Sequence, residues 1–122
     1  YNKVMAKGFT WDLMSVEPFA DKWRAFGWDV LEADGHDLAA VDDALHKARW
    51  VQPRGKPIVI IAHTVKGMGV ERAEFNYKWH THAPEADVAD AMLRELARRY
   101  GRPEQGYSRY EAEEKAAFYG GE

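Results

Sequence analysis

A short segment with one lysine beside two glycines has the composition of a phosphate-binding loop. It covers residues 63–69 and places Lys66 directly before Gly67-Met68-Gly69. Glycine lets a backbone approach a ligand closely, and a lysine ammonium next to it balances phosphate charge. The same residues also fit an ordinary turn after a strand. Phosphate binding and a plain turn therefore both remain open from the residue types alone.

A second segment, Trp79-His80-Thr81-His82, carries two imidazoles separated by one residue. Two histidines at this spacing can ligate a metal ion, but no third ligand of the usual kind lies nearby in the sequence. Proton transfer by a single histidine is the better functional interpretation, because imidazole changes charge near neutral pH. Two polar surface histidines are the alternative.

Asn2 is the third residue that could do chemistry, because it lies in a polar, turn-like stretch at the start of the chain. Its side-chain oxygen and a nearby backbone carbonyl are hard oxygen ligands of the kind that Mg²⁺ prefers. An asparagine in such a stretch can also be a turn residue with no ligand.

The elements that must position these residues follow from hydrophobic spacing and turn signals. Residues 1–8 are predicted to be a strand end that runs into a loop. Ser15 is predicted to cap a helix that begins near Pro18 and ends at Gly27. This helix should direct three aromatic side chains, Phe19, Trp23 and Phe26, toward one side.

Two strands separated by a helix define the predicted fold class. The strands are expected at residues 28–33 and 57–62, with a turn at 34–37 and a helix at 38–50 between them. Residues 57–62 form a continuous, β-branched apolar run, which is typical of a strand buried on both faces of a parallel sheet. The order of elements predicts an α/β fold with a mostly parallel sheet flanked by helices.

The remainder of the chain contains a long loop, a helix and a tail. Residues 63–84 leave the carboxyl end of the buried strand, where α/β sheets place their ligands, so this loop is predicted to be functional. Residues 86–100 are predicted to form an amphipathic helix that stops at Gly101. Residues 102–122 are a polar tail, in which residues 108–119 form either a docking helix or a frayed terminus.

Composition excludes several classes of function. The 122 residues carry 17 basic and 20 acidic side chains and no cysteine. Nucleic acid and membrane surfaces are therefore not expected partners, and disulfides and thiolate metal sites are excluded. A cytoplasmic location is expected. Because the chain starts with Tyr1 rather than methionine, we expect it to begin in the middle of a fold.

Five sequence blocks occur together and in the order found in transketolases, which this chain resembles over residues 1–100. The blocks are Tyr1-Asn2-Lys3-Val4, Val16-Glu17-Pro18-Phe19-Ala20-Asp21-Lys22-Trp23-Arg24-Ala25-Phe26-Gly27-Trp28, Asp34-Gly35-His36-Asp37, Lys56-Pro57-Ile58-Val59-Ile60-Ile61-Ala62-His63-Thr64-Val65-Lys66-Gly67-Met68-Gly69-Val70, and Trp79-His80 followed by Ala83-Pro84. The resemblance assigns residues 1–101 to the C-terminal half of a thiamine-diphosphate-binding domain.

The resemblance also implies roles for individual residues. The Asn2 side chain and the Val4 carbonyl would ligate Mg²⁺, or Ca²⁺ or Mn²⁺ in its place, and the metal would hold thiamine diphosphate. Lys66 and His80 would lie at the cofactor, and His80 would also act in catalysis on the substrate hydroxyl. The metal-binding aspartate of the family is not among these 122 residues. Thr81 and His82 stand where many members have glycine and lysine.

The implied activity is transfer of a two-carbon ketol unit from a ketose or ketose phosphate to an aldose. The implied partner is a complementary C-terminal transketolase subunit with a pyrimidine-binding domain, and the implied assembly is a dimer of such heterodimers. Two alternatives stay open at this point. One is another thiamine-diphosphate enzyme, similar to deoxyxylulose-phosphate synthase, and the other is a non-catalytic subunit kept for assembly.

Overall fold

A computed structural model describes residues 1–51 and 55–103 of the chain. The chain divides into two compact units, Tyr1–Lys66 and Gly67–Glu122. The predicted polar tail lies almost entirely outside the described residues, and so does its possible helix at 108–119.

The first unit begins with a small hairpin. Strands β1 (Val4–Met5) and β2 (Gly8–Phe9) pair in antiparallel fashion, and the short helix α1 (Thr10–Leu13) follows directly. The sequence predicted only a strand end and a loop here, because two-residue strands are too short to show alternation of apolar and polar side chains.

Helix α2 spans Phe19–Ala25 and so begins one residue after the predicted start near Pro18. The prediction that Ser15 caps this helix is wrong, since the Ser15 hydroxyl accepts a hydrogen bond from the Glu17 main chain at 3.4 Å. The carboxylate of Glu17 instead accepts from the Phe19 N–H at 3.0 Å, which satisfies a donor of the first turn. Gly27 ends the helix with a φ of 86°, as predicted.

The three aromatic residues Phe19, Trp23 and Phe26 divide into a packed pair within α2 and an exposed residue directly after it. The Phe19 ring lies 4.8 Å from the Tyr1 ring, and Trp23 lies 5.0 Å from Trp28 between ring centroids. Phe26 is 80% exposed, so it does not share the packed side that the sequence predicted for all three.

The parallel sheet of the first unit consists of β3 (Asp29–Asp34) and β4 (Ile58–His63). The strands pair in parallel with Asp29 opposite Ile58 and Asp34 opposite His63, each one residue later than predicted. Helix α3 (Leu38–His46) connects them and continues into a π-helical turn, Lys47–Val51, where an α-helix was predicted. The predicted α/β fold with a parallel sheet is confirmed.

Burial of the β4 strand is less complete than the sequence predicted. Ile61 is 4% exposed, but the other residues of this strand are half-buried or, at His63, exposed. Two strands covered by short helices leave much of each strand open, so burial on both faces is not reached within this unit.

The second unit contains the long loop, a 3₁₀ turn (Tyr77–His80) and the amphipathic helix α4 (Ala86–Arg99). Val70 and Ala89 are its buried apolar residues among those described. Gly101 follows α4 with a φ of 60°, as predicted for a helix stop. Across the part of the chain that the structure describes, no helix has both the length and the apolar character needed to cross a membrane.

Candidate functional site

The carboxyl ends of the two parallel strands bring two loops side by side. Asp34 ends β3 and His63 ends β4, and these two residues are in register. The Gly35 N–H continues the pairing beyond the strands by donating to the His63 carbonyl at 2.8 Å. This end of a parallel sheet is where α/β proteins bind ligands, so it is the candidate site of the first unit.

Tyr1 pairs with β4 along the edge that faces away from β3. The Tyr1 main-chain nitrogen donates to the Ala62 carbonyl at 2.5 Å, and the Tyr1 carbonyl accepts from the Thr64 N–H at 3.2 Å. The two bonds flank His63 as in a parallel ladder. They fix the position of the next residue, Asn2, at the carboxyl end of the sheet.

Asn2 and Val4 lie on one tight turn. The Asn2 Oδ1 atom accepts a hydrogen bond from the Val4 N–H at 2.9 Å, and Lys3 between them has a φ of 60°. A positive φ is uncommon for a lysine, and such backbone strain concentrates at ligand-binding positions. The turn keeps two oxygen donors, the Asn2 amide and the Val4 carbonyl, close together in sequence.

Their donor chemistry fits part of a magnesium site. Mg²⁺ takes oxygen ligands and is usually held by one or two carboxylates together with water and phosphate. Among residues 1–51 and 55–103, no group of three or more acidic, histidine or cysteine side chains is placed to hold a metal ion. Asn2 and Val4 can supply two oxygen ligands of such a site.

Lys66 is half-buried and ends the first unit. The residue before it, Val65, donates its main-chain N–H to the Nε2 atom of His36 at 2.7 Å. The turn after β3 thus holds the loop after β4. His36 was noted in the sequence only as a member of the Asp34-Gly35-His36-Asp37 block, and no local signal indicated this contact.

Three interacting polar side chains, His63, Glu32 and Arg24, lie next to the loop that follows β4. The His63 Nε2 atom donates to Glu32 at 2.8 Å, and Arg24 lies 3.7 Å from the other oxygen of Glu32. Both His63 and Glu32 have side chains that are 44% exposed, so the pair adds little stability and mainly orients the imidazole.

The Tyr1 hydroxyl donates a hydrogen bond to the Glu17 carboxylate at 2.7 Å. This hydrogen bond, together with that from the Phe19 N–H, lowers the pKa of Glu17 below its ordinary value of 4.5. Burial raises the pKa of Tyr1 above its ordinary value of 10.0, and the bond to Glu17 raises it further. The hydrogen bond contributes to both pKa shifts because it is strongest between the neutral phenol and the ionised carboxylate.

The two glycines after Lys66 are explained by packing within the second unit. A methyl group at Gly67 would overlap the main chain of Ala73, and one at Gly69 would meet the Leu96 side chain at 3.1 Å. Their φ angles of 75° and 98° also favour glycine. The glycine backbone therefore lies close to Ala73 and Leu96 of the same chain, where the sequence suggested a close approach to a ligand. This favours the turn interpretation for the two glycines.

His80 ends the 3₁₀ turn of the second unit, and that turn is held from two sides. The Asn76 side-chain oxygen caps it by accepting from the Lys78 N–H at 3.1 Å. The Arg72 carbonyl accepts both the Asn76 amide at 3.1 Å and the Trp79 indole N–H at 3.2 Å. An asparagine before a short polar helix is a local capping signal, but the contacts to Arg72 have no such signal in the sequence.

Thr81 and His82 form a contact of their own beside His80. The Thr81 hydroxyl lies 3.2 Å from the Nδ1 atom of His82. This bond engages one imidazole nitrogen, and within the described residues no metal-binding group forms around these histidines. Separate roles for His80 and His82 stay a prediction.

The structure brings together the predicted residues of the first unit. Asn2 and Val4 share one turn, and the Tyr1–Thr64 hydrogen bond joins this turn to the loop that carries Lys66. His80 belongs to the second unit. The roles assigned to Asn2, Val4, Lys66 and His80 remain predictions.

Comparison with known proteins identifies what the chain is similar to. The family model described as "Transketolase, thiamine diphosphate binding domain" matches residues 1–116. The chain is 41% identical over 95 residues to one of the subunits of apulose-4-phosphate transketolase from Actinobacillus succinogenes, a match that covers 78% of this chain and 33% of that protein. It is 36% identical over 96 residues to 6-deoxy-6-sulfo-D-fructose transketolase subunit SqwG of a Clostridium species, covering 79% and 34%.

Solved structures agree with this similarity. A Campylobacter jejuni transketolase superposes with a TM-score of 0.71 at 25% identity, over 86% of this chain and 16% of that one. A Pichia stipitis transketolase, solved in complex with sedoheptulose 7-phosphate, superposes with a TM-score of 0.69 at 24% identity, over 86% and 15%. The chain thus spans about a third of the length of the curated relatives named above and a smaller part of the length of the solved structures.

Proposed function

Because this chain belongs to the family of transketolase thiamine diphosphate binding domains, we propose that it forms part of an enzyme that transfers a two-carbon ketol unit from a ketose to an aldose. The observation that carries the proposal is the family match over residues 1–116. Asn2, Lys66 and His80 lie in the sequence blocks of this range that resemble transketolases, and their roles are part of the proposal. The two curated relatives described above and the Campylobacter jejuni structure are transketolases by name, which favours ketol transfer over decarboxylation of pyruvate.

When bound, thiamine diphosphate supplies the carbanion chemistry that breaks and forms the carbon–carbon bond. In the proposed site, Asn2 and Val4 hold Mg²⁺ against the diphosphate together with a carboxylate from elsewhere in the protein. Lys66 offsets diphosphate charge with its ammonium group. The turn at Lys3 and the pairing of Tyr1 with β4 keep the Asn2 side chain in place.

His80 acts as the acid–base group of the reaction in this proposal. Its imidazole takes the proton of the substrate hydroxyl as the carbon–carbon bond breaks and returns a proton when the new bond forms. The Asn76 and Trp79 contacts to the Arg72 carbonyl hold the turn that ends at His80. An imidazole that is held in the correct orientation transfers protons more efficiently than a mobile one.

The proposed partner is a complementary subunit that carries the pyrimidine-binding domain. Three relatives are named as individual subunits of transketolases, which supports a second polypeptide here. We further propose that two such pairs form a dimer of heterodimers, the arrangement that brings the two domain types together. A cytoplasmic location is part of the same proposal.

We propose that the substrate carries an anionic group. The sugars named in two relatives are a sugar 4-phosphate and a 6-sulfo sugar. Thr81 and His82 depart from the family pattern beside His80, so the sugar that this enzyme prefers is expected to depend on them.

Cofactor content and donor choice test the proposal together. The full-length protein is purified with its complementary subunit, and thiamine diphosphate is released by acid and quantified by fluorescence after oxidation. We expect about one cofactor per pair of chains, and turnover of a ketose donor with an aldose acceptor but not of pyruvate. Absence of cofactor after addition of Mg²⁺, thiamine diphosphate and the partner would instead support a non-catalytic role in assembly.

A further inference from the structure

We propose that His36 is a positioning residue that sets the backbone of the loop carrying Lys66, by accepting a hydrogen bond from the Val65 N–H. The inference rests on the proposed role of Lys66 at the cofactor diphosphate. His36 lies 29 residues before Val65, in the turn after β3. It acts through Val65 and Lys66 and does not touch the cofactor itself.

The two loops are in contact through their main chains, independently of the His36 side chain. The Gly35 N–H donates to the His63 carbonyl at 2.8 Å, one residue beyond the paired strands. A methyl group at Gly35 would lie 2.5 Å from Thr64 Cγ2 and 3.2 Å from the His63 carbonyl oxygen. A methyl group there would require the Thr64 side chain to move, so the turn packs closely against residues 63 and 64.

The imidazole of His36 fixes the next step of the loop. Its Nε2 atom accepts the Val65 N–H at 2.7 Å, so Nε2 carries no proton and the ring proton resides on Nδ1. The Val65 N–H belongs to the peptide unit between Thr64 and Val65, and the orientation of this unit sets the direction in which the chain continues through Val65 to Lys66. Holding this N–H therefore limits the conformations open to Lys66.

The side chain of His36 is not needed to build its own turn. The Asp34 carboxylate accepts the His36 main-chain N–H at 2.9 Å, and Asp37 caps α3 by accepting from the Ala39 N–H at 2.9 Å. Both bonds survive replacement of the imidazole. The contact that the structure gives to the His36 ring belongs to the neighbouring loop, which is the signature of a residue that positions something other than itself.

The test is a double-mutant cycle in the full-length protein with its complementary subunit. His36→Ala, Lys66→Ala and the double variant are compared for the dissociation constant of thiamine diphosphate in saturating Mg²⁺. His36→Gln retains a side-chain acceptor, and His46→Ala replaces an exposed histidine at the end of α3. Amide hydrogen exchange of the peptide that contains Val65 is measured on the same proteins.

We expect His36→Ala to weaken cofactor binding by about threefold to tenfold, the scale of one lost hydrogen bond. His36→Gln should recover part of the loss, and His46→Ala should leave binding unchanged. In the Lys66→Ala background, removal of His36 should have little further effect, because two groups acting through one contact are not additive. Exchange at Val65 should be faster in His36→Ala than in the protein with His46→Ala.

Three results would overturn the inference. Full additivity of the two substitutions would show that His36 acts independently of Lys66. Unchanged exchange at Val65 in His36→Ala would remove the contact on which the inference stands. Unchanged cofactor binding in Lys66→Ala would refute the role of Lys66 and this inference with it, whereas the proposed ketol transfer would fail separately, through absence of cofactor and turnover in the unaltered enzyme.

Discussion

Tyr1 and His63 are paired through the main chain on either side of His63, with the Tyr1 nitrogen bonded to Ala62 and the Tyr1 carbonyl to Thr64. The pairing joins residues that are about sixty positions apart in the sequence. It places the Asn2 turn and the Lys66 loop at the same end of one sheet. Two of the predicted cofactor-binding segments are thus positioned by backbone bonds that do not depend on side-chain identity.

Replacement of Asn2 should weaken metal binding before it affects the fold. Asn2→Ala removes a proposed Mg²⁺ ligand and the acceptor for the Val4 N–H, so the dissociation constant of Mg²⁺ in the presence of thiamine diphosphate should rise at least about tenfold. Asn2→Asp is the matched control, because a carboxylate still accepts that N–H and still ligates the metal. Equal cofactor retention by Asn2→Ala and the unaltered enzyme, after dialysis against chelator, would rule out the role of Asn2.

His80 is expected to govern turnover more strongly than its neighbour His82. His80→Ala should lower kcat by about a hundredfold or more, the usual scale for a general acid–base group. His82→Ala should change the preference among donor sugars and leave kcat for the best donor within a few-fold of normal. Steady-state kinetics with each variant measures both effects. A loss below about threefold in His80→Ala would discard His80 as a catalytic residue.

The indole N–H of Trp79 should support catalysis without contributing to cofactor affinity. Trp79→Phe removes the 3.2 Å hydrogen bond to the Arg72 carbonyl but preserves most of the ring. Loss of one such bond should lower kcat by about threefold to tenfold through a looser His80, with cofactor binding unchanged. Trp50→Phe, at an exposed tryptophan of the first unit, is the control. A change in cofactor affinity instead of kcat would contradict this assignment.

The predictable part of the fold was the part with long, regular patterns. The apolar run of β4 and the amphipathic stripe of α4 extend over enough residues to define their period, and both elements lie within one residue of the predicted bounds. Gly27 and Gly101 mark helix ends through their left-handed backbone, which few other residues adopt readily. These features depend on local chemistry alone.

The features that were missed depend on partners distant in sequence or on competition between nearby groups. Ser15 has a hydroxyl suited to capping, but the longer Glu17 side chain accepts the Phe19 N–H in its place. The contact of His36 with Val65 exists only after β3 and β4 have paired. Residue types indicate candidate donors and acceptors, but pairing them across the sheet requires the register of the strands.

Substitution of Gly67 should destabilise the protein more than substitution of a glycine in open space. Gly67→Ala forces a side chain into the left-handed region, at a cost of about 1–2 kcal/mol, and also into the main chain of Ala73. Gly27→Ala is a matched control, since Gly27 also has a positive φ but nothing within 4 Å of the added methyl. Thermal unfolding of the two variants should place Gly67→Ala several degrees lower. Equal melting temperatures would mean that the contact with Ala73 relaxes without cost.

The hydrogen bond from Tyr1 to Glu17 should make stability depend on pH at both ends of the range. The pKa of Glu17 is lowered, so its contribution is present above the ordinary value of 4.5 and is lost as pH falls through the lowered pKa. The pKa of Tyr1 is raised, so its contribution is present below 10.0 and is lost as pH rises through the raised pKa.

Tyr1→Phe removes the hydroxyl but retains the ring that packs on Phe19, so it isolates this bond. The difference in melting temperature between the unaltered protein and Tyr1→Phe should be largest between about pH 5 and 9 and should shrink toward both extremes. Tyr100→Phe, at an exposed position after α4, should show no such window. A constant difference across the whole range would mean that the hydroxyl stabilises the fold by packing, independently of the ionisation of Glu17.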